Sequence, residues 1–235
     1  MKHIFYHLTA VMVVVVWGMT FISTKVLIVH GLSAQEIFLF RFLLAYAAVC
    51  PISFHRFFAR NLKDELYLVG GGVLGGSLFF FLQNMALGLT QASNVSFIIC
   101  TAPLLTAVLT VLSVRTEKVS RGFIYGSVVA LLGVGLLIFN GSFILRISPL
   151  GDLLTLLASL SWAFYSLVIR SLTRKYSPAF ITRKIFFYGI ITILPTFLLL
   201  PSLTDPVVLL DSEVWSNLLF LGVIASSACY LLWNI

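Results

Sequence analysis

A charged side chain in the middle of an apolar stretch is the costliest residue that a membrane-crossing segment can carry, and this chain has one at Arg41. Such a charge costs about 2.5–3.5 kcal/mol on insertion scales, so it usually faces a cavity or a partner. Arg41 therefore attracts an anionic group or pairs two helices. Alternatively, lying about two turns from a helix start near Ala34, it snorkels to the surface. Glu36 is a poor partner along the helix, because residues five apart do not share a face. Gln83 and Asn84 also lie in an apolar stretch, where a carboxamide must find hydrogen bonds. They line a cavity or tie one helix to another.

The aromatic residues give a second set. Trp17, with Thr24 two turns on, matches Trp162, with Tyr165 and Ser166 nearby. An isolated tryptophan commonly anchors a helix at the membrane interface. Both of these sit well inside their apolar stretches, which favours an aromatic cavity wall to which Tyr230 and Trp233 contribute. Ser96, Cys100, Thr101 and Pro103 share a further stretch. Proline removes one backbone hydrogen bond and frees the carbonyl of Ile99, so a kink is expected there. It suits a gate or a substrate-facing break, or it merely improves packing. Gly72, Gly76 and Gln83 fall on one helical face, and small residues four apart let helices approach closely. Packing is the better reading of these glycines, with gating as the alternative. Gly71 to Gly76 is not a phosphate loop, since no lysine stands between Gly76 and Ser77.

Other chemistries lack their residues. Glu36, Asp64, Glu65, Glu117, Asp152, Asp205, Asp211 and Glu213 all fall in connections or at the ends of apolar stretches. A proton relay would want a carboxylate at mid-membrane, so facilitated diffusion or exchange fits better than proton coupling. His3, His7, His30 and His55 are scattered, with no hydrolase or metalloprotease pattern. Cys50, Cys100 and Cys229 are too far apart for a metal or redox motif and read as packing residues. Neither a metal nor a cofactor is expected, and an enzyme is the weaker reading.

The elements that must position these residues follow from composition. Hydrophobic residues make up 60% of the chain and charged ones 10%, against about 45–50% and 25% in soluble domains. Mean hydropathy is +1.08. The chain reads as an all-α integral membrane protein. Eight stretches reach the roughly 17–25 residues that a span needs: 8–29, 34–54, 66–89, 93–114, 122–140, 153–172, 180–200 and 214–235. The net charge of +7 is a topology signal and not a nucleic-acid footprint. With the N-terminus cytoplasmic, twelve cations lie inside and only Lys25 and Arg146 outside, a strong positive-inside bias. The first stretch has a basic start but no clear cleavage site, so a retained helix is expected and not a signal peptide.

The chain also repeats itself. Trp17 and Lys25 return as Trp162 and Arg170, 145 positions on; Pro51 returns as Pro195 at offset 144; Gly72, Ser77 and Asn84 return as Gly222, Ser227 and Asn234 at offset 150. Five spans, an odd number, are crossed before the second copy, which therefore enters the bilayer from the other side. Inverted repeats of this kind build many secondary carriers around a central site. The division expected is 1–141, with five helices, and 142–235, with three. The second copy stops one residue after Asn234, within a helix, which reads as a fragment or shortened version of a ten-helix protein.

The stretch Ala86-Leu87-Gly88-Leu89-Thr90-Gln91-Ala92-Ser93-Asn94-Val95-Ser96, followed by Thr101-Ala102-Pro103-Leu104-Leu105, Glu117-Lys118-Val119-Ser120 and Gly133-Val134-Gly135, resembles the drug/metabolite transporter superfamily, in particular its EamA-type members. Trp17-Gly18 and Arg41-Phe42 fit as well. The resemblance covers the whole chain. It implies a ten-helix inverted-repeat carrier of metabolites or drug-like compounds, with a cavity formed by helices 1, 3, 4, 6, 8 and 9. The expected partners are a small-molecule substrate and the lipid bilayer; the small-residue faces leave a homodimer open. The expected place is a bacterial inner membrane. A non-transporting scaffold or degenerate product is the competing reading.

Overall fold

Apolar stretches of this length must satisfy their own backbone in lipid, and helices do so within one segment. The computed structural model describes residues 2–53, 56–113, 120–139, 148–200 and 204–233, and within them every regular element is helical. Eight helices result: α1 (Lys2–Val29), α2 (Ala34–Ser53), α3 (Leu62–Leu89), α4 (Ala92–Ser113), α5 (Arg121–Phe139), α6 (Pro149–Arg170), α7 (Pro178–Leu199) and α8 (Ser212–Trp233). Seven are long and apolar enough to cross a membrane; in α5 the qualifying apolar stretch, Gly122–Gly133, is shorter. The boundary at 141, Arg115, Glu117, Lys118, Val119, Asn140, Arg146 and Asn234 lie outside the described residues.

Local signals explain the ends. Ser33 accepts the N–H of Glu36 while Glu36 takes that of Ser33, a capping box that starts α2. Asn61 caps α3, and Ser177 caps α7 with Pro178 at its first position. The regular part of α2 stops at Val49, ahead of Pro51, and that of α7 at Ile193, ahead of Pro195. Each proline lacks the N–H that would continue the ladder. Both helices thus end at equivalent places, 144 positions apart.

The interleaving of the helices matters more than their number. Gly151, at the start of α6, lies against Thr90, just past the end of α3. Lys175, just past the end of α6, meets Asp64 at the start of α3. With α3 running opposite to α6, the N-terminal end of α1 and the α2–α3 and α6–α7 connections share one end of the bundle, here termed the basic end. Helix α3 packs chiefly on α6 and α7, and α8 packs chiefly on α1 and α2. A Cβ on Gly72 would stand 2.5 Å from Tyr188 Cβ and 3.2 Å from Ile185 O; one on Gly222 would stand 2.6 Å from Leu44 Cβ and 3.0 Å from Arg41 O. Tyr188 and Ile185 lie 144 positions after Leu44 and Arg41. One close crossing is therefore built twice, and glycine is required at both because no side chain fits.

The core is aromatic, with Phe38, Phe42, Phe79, Phe80, Phe186 and Tyr230 all buried. Val11, Val14 and Ile22 on α1 and Val129, Leu132 and Leu136 on α5 are exposed instead. Apolar side chains outside as well as inside are what a bundle in lipid requires.

Candidate functional site

Two wide turns interrupt the α-helical ladder at mid-bundle. In α3 residues Val73–Ser77 are π-helical, and in α8 residues Phe220–Ala228 are. The first, moved by 150 positions, falls inside the second. A π-turn displaces the i→i−4 pattern and leaves carbonyls in need of other donors, which is why such turns gather at functional sites. Here the other half of the chain supplies them. Gly75 O accepts from Tyr230 OH at 2.9 Å, and its equivalent, Ala225 O, accepts from Trp17 Nε1 at 3.0 Å. Leu74 O takes the hydroxyl of Ser161 at 2.7 Å.

These bonds hold a cluster of rings where α1, α3, α6 and α8 meet. Trp17 and Trp162 stand edge to face at 5.6 Å, and Tyr230 lies 6.0 Å from the first and 5.9 Å from the second. Tyr165 and Phe79 flank Trp162 at 5.0 and 4.9 Å. Gly75 makes room for the Tyr165 ring, which any Cβ there would strike. Edge-to-face packing suits the ring quadrupoles, so the rings form a wall with polar edges. Replacing Trp17 by Phe keeps most of the ring but leaves Ala225 O without its donor. A fall in stability of about 1–3 kcal/mol is expected in a detergent melt. Trp233→Phe, half-exposed and 5.1 Å from Trp17, should change little. Equal losses would mean that packing and not the carbonyl matters.

Arg41 lies beside this cluster and is 2% exposed, which overturns the snorkelling reading. Its Nε donates to Ser226 Oγ at 2.6 Å, and its guanidinium lies 4.2 Å from the centre of the Phe80 ring. A stacked guanidinium is held by the ring face without being neutralised. Among the described residues no carboxylate pairs with it. Thr24 and Asn84 are buried as well. Asn84 Nδ2 ties α3 to Ala34 O at 3.1 Å, while Asn84 Oδ1 and Thr24 Oγ1 have no partner among the described residues. Gln83 is buried.

The remaining sequence candidates fall elsewhere. Helix α4 breaks at Cys100–Thr101, just ahead of Pro103. The hydroxyl of Thr101 and the Thr101 N–H both turn back to Ile98 O, which Ser159 also reaches at 3.3 Å. Cys100 is exposed and Thr101 half-buried. Gly72 and Gly76 sit against α7, packing against Gly189. Lys25 donates to Leu87 O and Thr90 O at 2.5 and 3.2 Å, closing the carbonyl end of α3.

Sequence reasoning missed the closure of the basic end. Arg183 and Lys184 count there as surface charges, yet both are buried. Arg183 donates to Ser53 O and Arg56 O, clamping the α2–α3 connection onto α7. Lys184 pairs with Glu65, which also accepts from Tyr188 OH and, at 2.6 Å, from Ala59 N. Asp64 accepts from Lys175 and from Tyr176 OH, each at 2.8 Å. The bond to Asp64 holds Lys175, itself outside the helices, above the ordinary lysine value. The opposite end is held more lightly: Gln35 donates to Leu200 O, Thr204 to Gly31 O, and His30 Nε2 stands 3.5 Å from Asp211 and Glu213.

A helical bundle with seven spans long and apolar enough to cross a membrane, wide-turned at its centre, is the architecture of a multi-pass membrane protein. The model of the EamA-like transporter family matches residues 4–139 and 149–235, and the chain belongs to that family. It is similar to two proteins of Archaeoglobus fulgidus, each described as an uncharacterized transporter. One is 27% identical over 234 residues, 97% of this chain and 78% of the relative; the other is 27% identical over 221 residues, 92% and 75% respectively. A solved structure, described only as "Crystal structure of protein", aligns with a TM-score of 0.73 over 97% of this chain and 77% of its own length, at 17% identity. That last likeness speaks for the fold alone.

Proposed function

We propose that this transporter carries a small anionic or amphipathic organic molecule, by efflux or exchange, through alternating access around Arg41 and the ring cluster. The observation that carries the reading is Arg41 itself. Among the described residues it is a buried cation whose hydrogen-bond partner is a neutral hydroxyl, beside rings supplied by both halves of the chain. An isolated buried charge is expensive, and a substrate carboxylate or phosphate would complete it. The ring edges and the unpartnered Thr24 and Asn84 atoms would select among such anions.

We take residues 1–141 and 142–235 as the two repeats and place the basic end at the inner face of a bacterial plasma membrane. Among the described residues no carboxylate pairs with Arg41, so we favour exchange over proton coupling. The interleaved packing bears on the motion. A cut between the repeats would part α3 from α6 and α7, and α8 from α1 and α2, which are broad close-packed contacts. A cut that keeps α1, α2 and α8 together and α3, α6 and α7 together spares them. Alternating access then opens the seam where Trp17 meets Trp162.

The test begins with a melt of the purified chain against a panel of aromatic and aliphatic carboxylates, phosphate esters and their uncharged analogues. The compounds that stabilise are then assayed by counterflow in liposomes. Arg41→Met should keep the melting temperature within a few degrees, since an apolar replacement of a buried charge is often neutral. It should abolish both stabilisation and flux of the anions, and Trp162→Ala should weaken both. Anions that stabilise and move equally well through Arg41→Met would sink the reading.

A further inference from the structure

At the basic end, away from the ring cluster, a cavity of about 340 Å³ lies between the α2–α3 connection and the start of α7, lined by Ile52, Ser53, Arg56, Arg60, Lys175, Tyr176, Ser177 and Phe180. Among the described residues its wall holds three cations and no carboxylate. Lys175 is paired with Asp64, but among the described residues no carboxylate pairs with Arg56 or Arg60. Ser177, at the same wall, opens a sixteen-residue helical segment whose positive dipole end favours an anion.

Three features point to a lipid and not to a solute. Basic pockets between helices on the cytoplasmic side are suited to phosphate headgroups. Ile52 and Phe180 give the cavity an apolar side. In the chain, two residues to either side of the lining residue Arg60, Phe58 and Leu62 are 71% and 75% exposed. Large apolar side chains interleaved with arginines belong at a headgroup–acyl boundary, where rings and guanidinium stems both find their environment.

We propose that this cavity binds the phosphate of an anionic phospholipid, with Arg56 and Arg60 on the headgroup and the acyl chains along Ile52 and Phe58. The lipid bridges the α2–α3 connection to α7, in line with the clamp that Arg183 already makes. Its composition therefore tunes how firmly the basic end stays shut.

The experiment titrates the full chain in detergent with phosphatidylglycerol, phosphatidylcholine or soluble glycerol phosphate, following bound lipid by native mass spectrometry and the melting temperature. Phosphatidylglycerol should bind one per chain and more tightly than phosphatidylcholine, and glycerol phosphate at the same concentration should do little. Arg56→Ala with Arg60→Ala should weaken phosphatidylglycerol about 30-fold, from roughly 5-fold per cation facing an anionic headgroup. Lys63→Ala with Arg174→Ala, exposed cations outside the cavity, should change it less than threefold. Arg56→Lys with Arg60→Lys should keep most of the binding, which separates charge from any loss of folding. Equal loss from both alanine pairs would reduce the effect to diffuse surface charge and overturn the proposal. So would phosphatidylcholine matching phosphatidylglycerol. Glycerol phosphate matching the lipid would overturn it too, assigning the cavity to a soluble phosphate ester.

Discussion

Glu65→Ala should cost the folded protein about 3–5 kcal/mol, the largest loss expected from any single polar substitution, because it strands a charge that water cannot reach. The Lys184 side chain is 4% exposed and pairs with Glu65; rings of Phe58, Phe187 and Tyr188 surround its ammonium. Glu65 also serves Tyr188 OH and the Ala59 N–H, so three donors lose their acceptor together. The melting temperature should fall by about 10 °C, taking roughly 2–4 °C per kcal/mol for a chain of this size. Glu65→Leu combined with Lys184→Met removes both charges at once and should recover most of the loss. If the double variant is as unstable as the single one, the pair's worth lies in Ala59 and Tyr188 and not in Lys184.

Gly72→Ala and Gly222→Ala should be the next most damaging, and by similar amounts. Each new methyl would meet a neighbouring Cβ, on Tyr188 or Leu44, and main-chain atoms at 3.0–3.2 Å. Neither a Cβ nor a backbone carbonyl can swing aside as a side-chain tip does, so the helices must part. Overpacking of this kind costs about 1–3 kcal/mol. Gly88→Ala is the control: nothing lies within 4 Å of the added atom, one residue before the end of α3, so little change is expected. A melt that ranks Gly88→Ala with the other two would refute the close-crossing account. Unequal losses at Gly72 and Gly222 would break the symmetry argued from their contacts.

Much of this was legible in the sequence for a physical reason. Spans are written in long runs of apolar residues, which only helices tolerate in lipid. Trp17 and Trp162 stood out as members of an aromatic wall, and their rings do meet, 5.6 Å apart. The wide turns were not legible. A one-residue slip in backbone pairing has no side-chain signature, and the small residues around it, Gly71 to Gly76, serve packing equally well. The partner of Arg41 was hidden because Ser226 lies 185 positions away on a helix of the other copy. Arg183 and Lys184 were misjudged because residues near a helix start are usually wet; here the α2–α3 connection folds over them. The one hint was the adjacency of opposite pairs, Asp64-Glu65 opening α3 and Arg183-Lys184 opening α7.

The long separation of these partners governs how the protein must be made. Asp64 leaves the ribosome 111 residues before Lys175, and Glu65 123 residues before Tyr188. At about 5–20 residues per second, the carboxylates wait roughly 5–25 s for the groups that will cover them. Over the same interval the glycine face of α3 has no α7 to receive it. Newborn α3 can stay in the bilayer only because its acids sit at the end that begins in water. The basic end thus stays open until α7 has been made, and a chain arrested before α7 would present that acidic, glycine-lined edge to the quality-control machinery of the membrane.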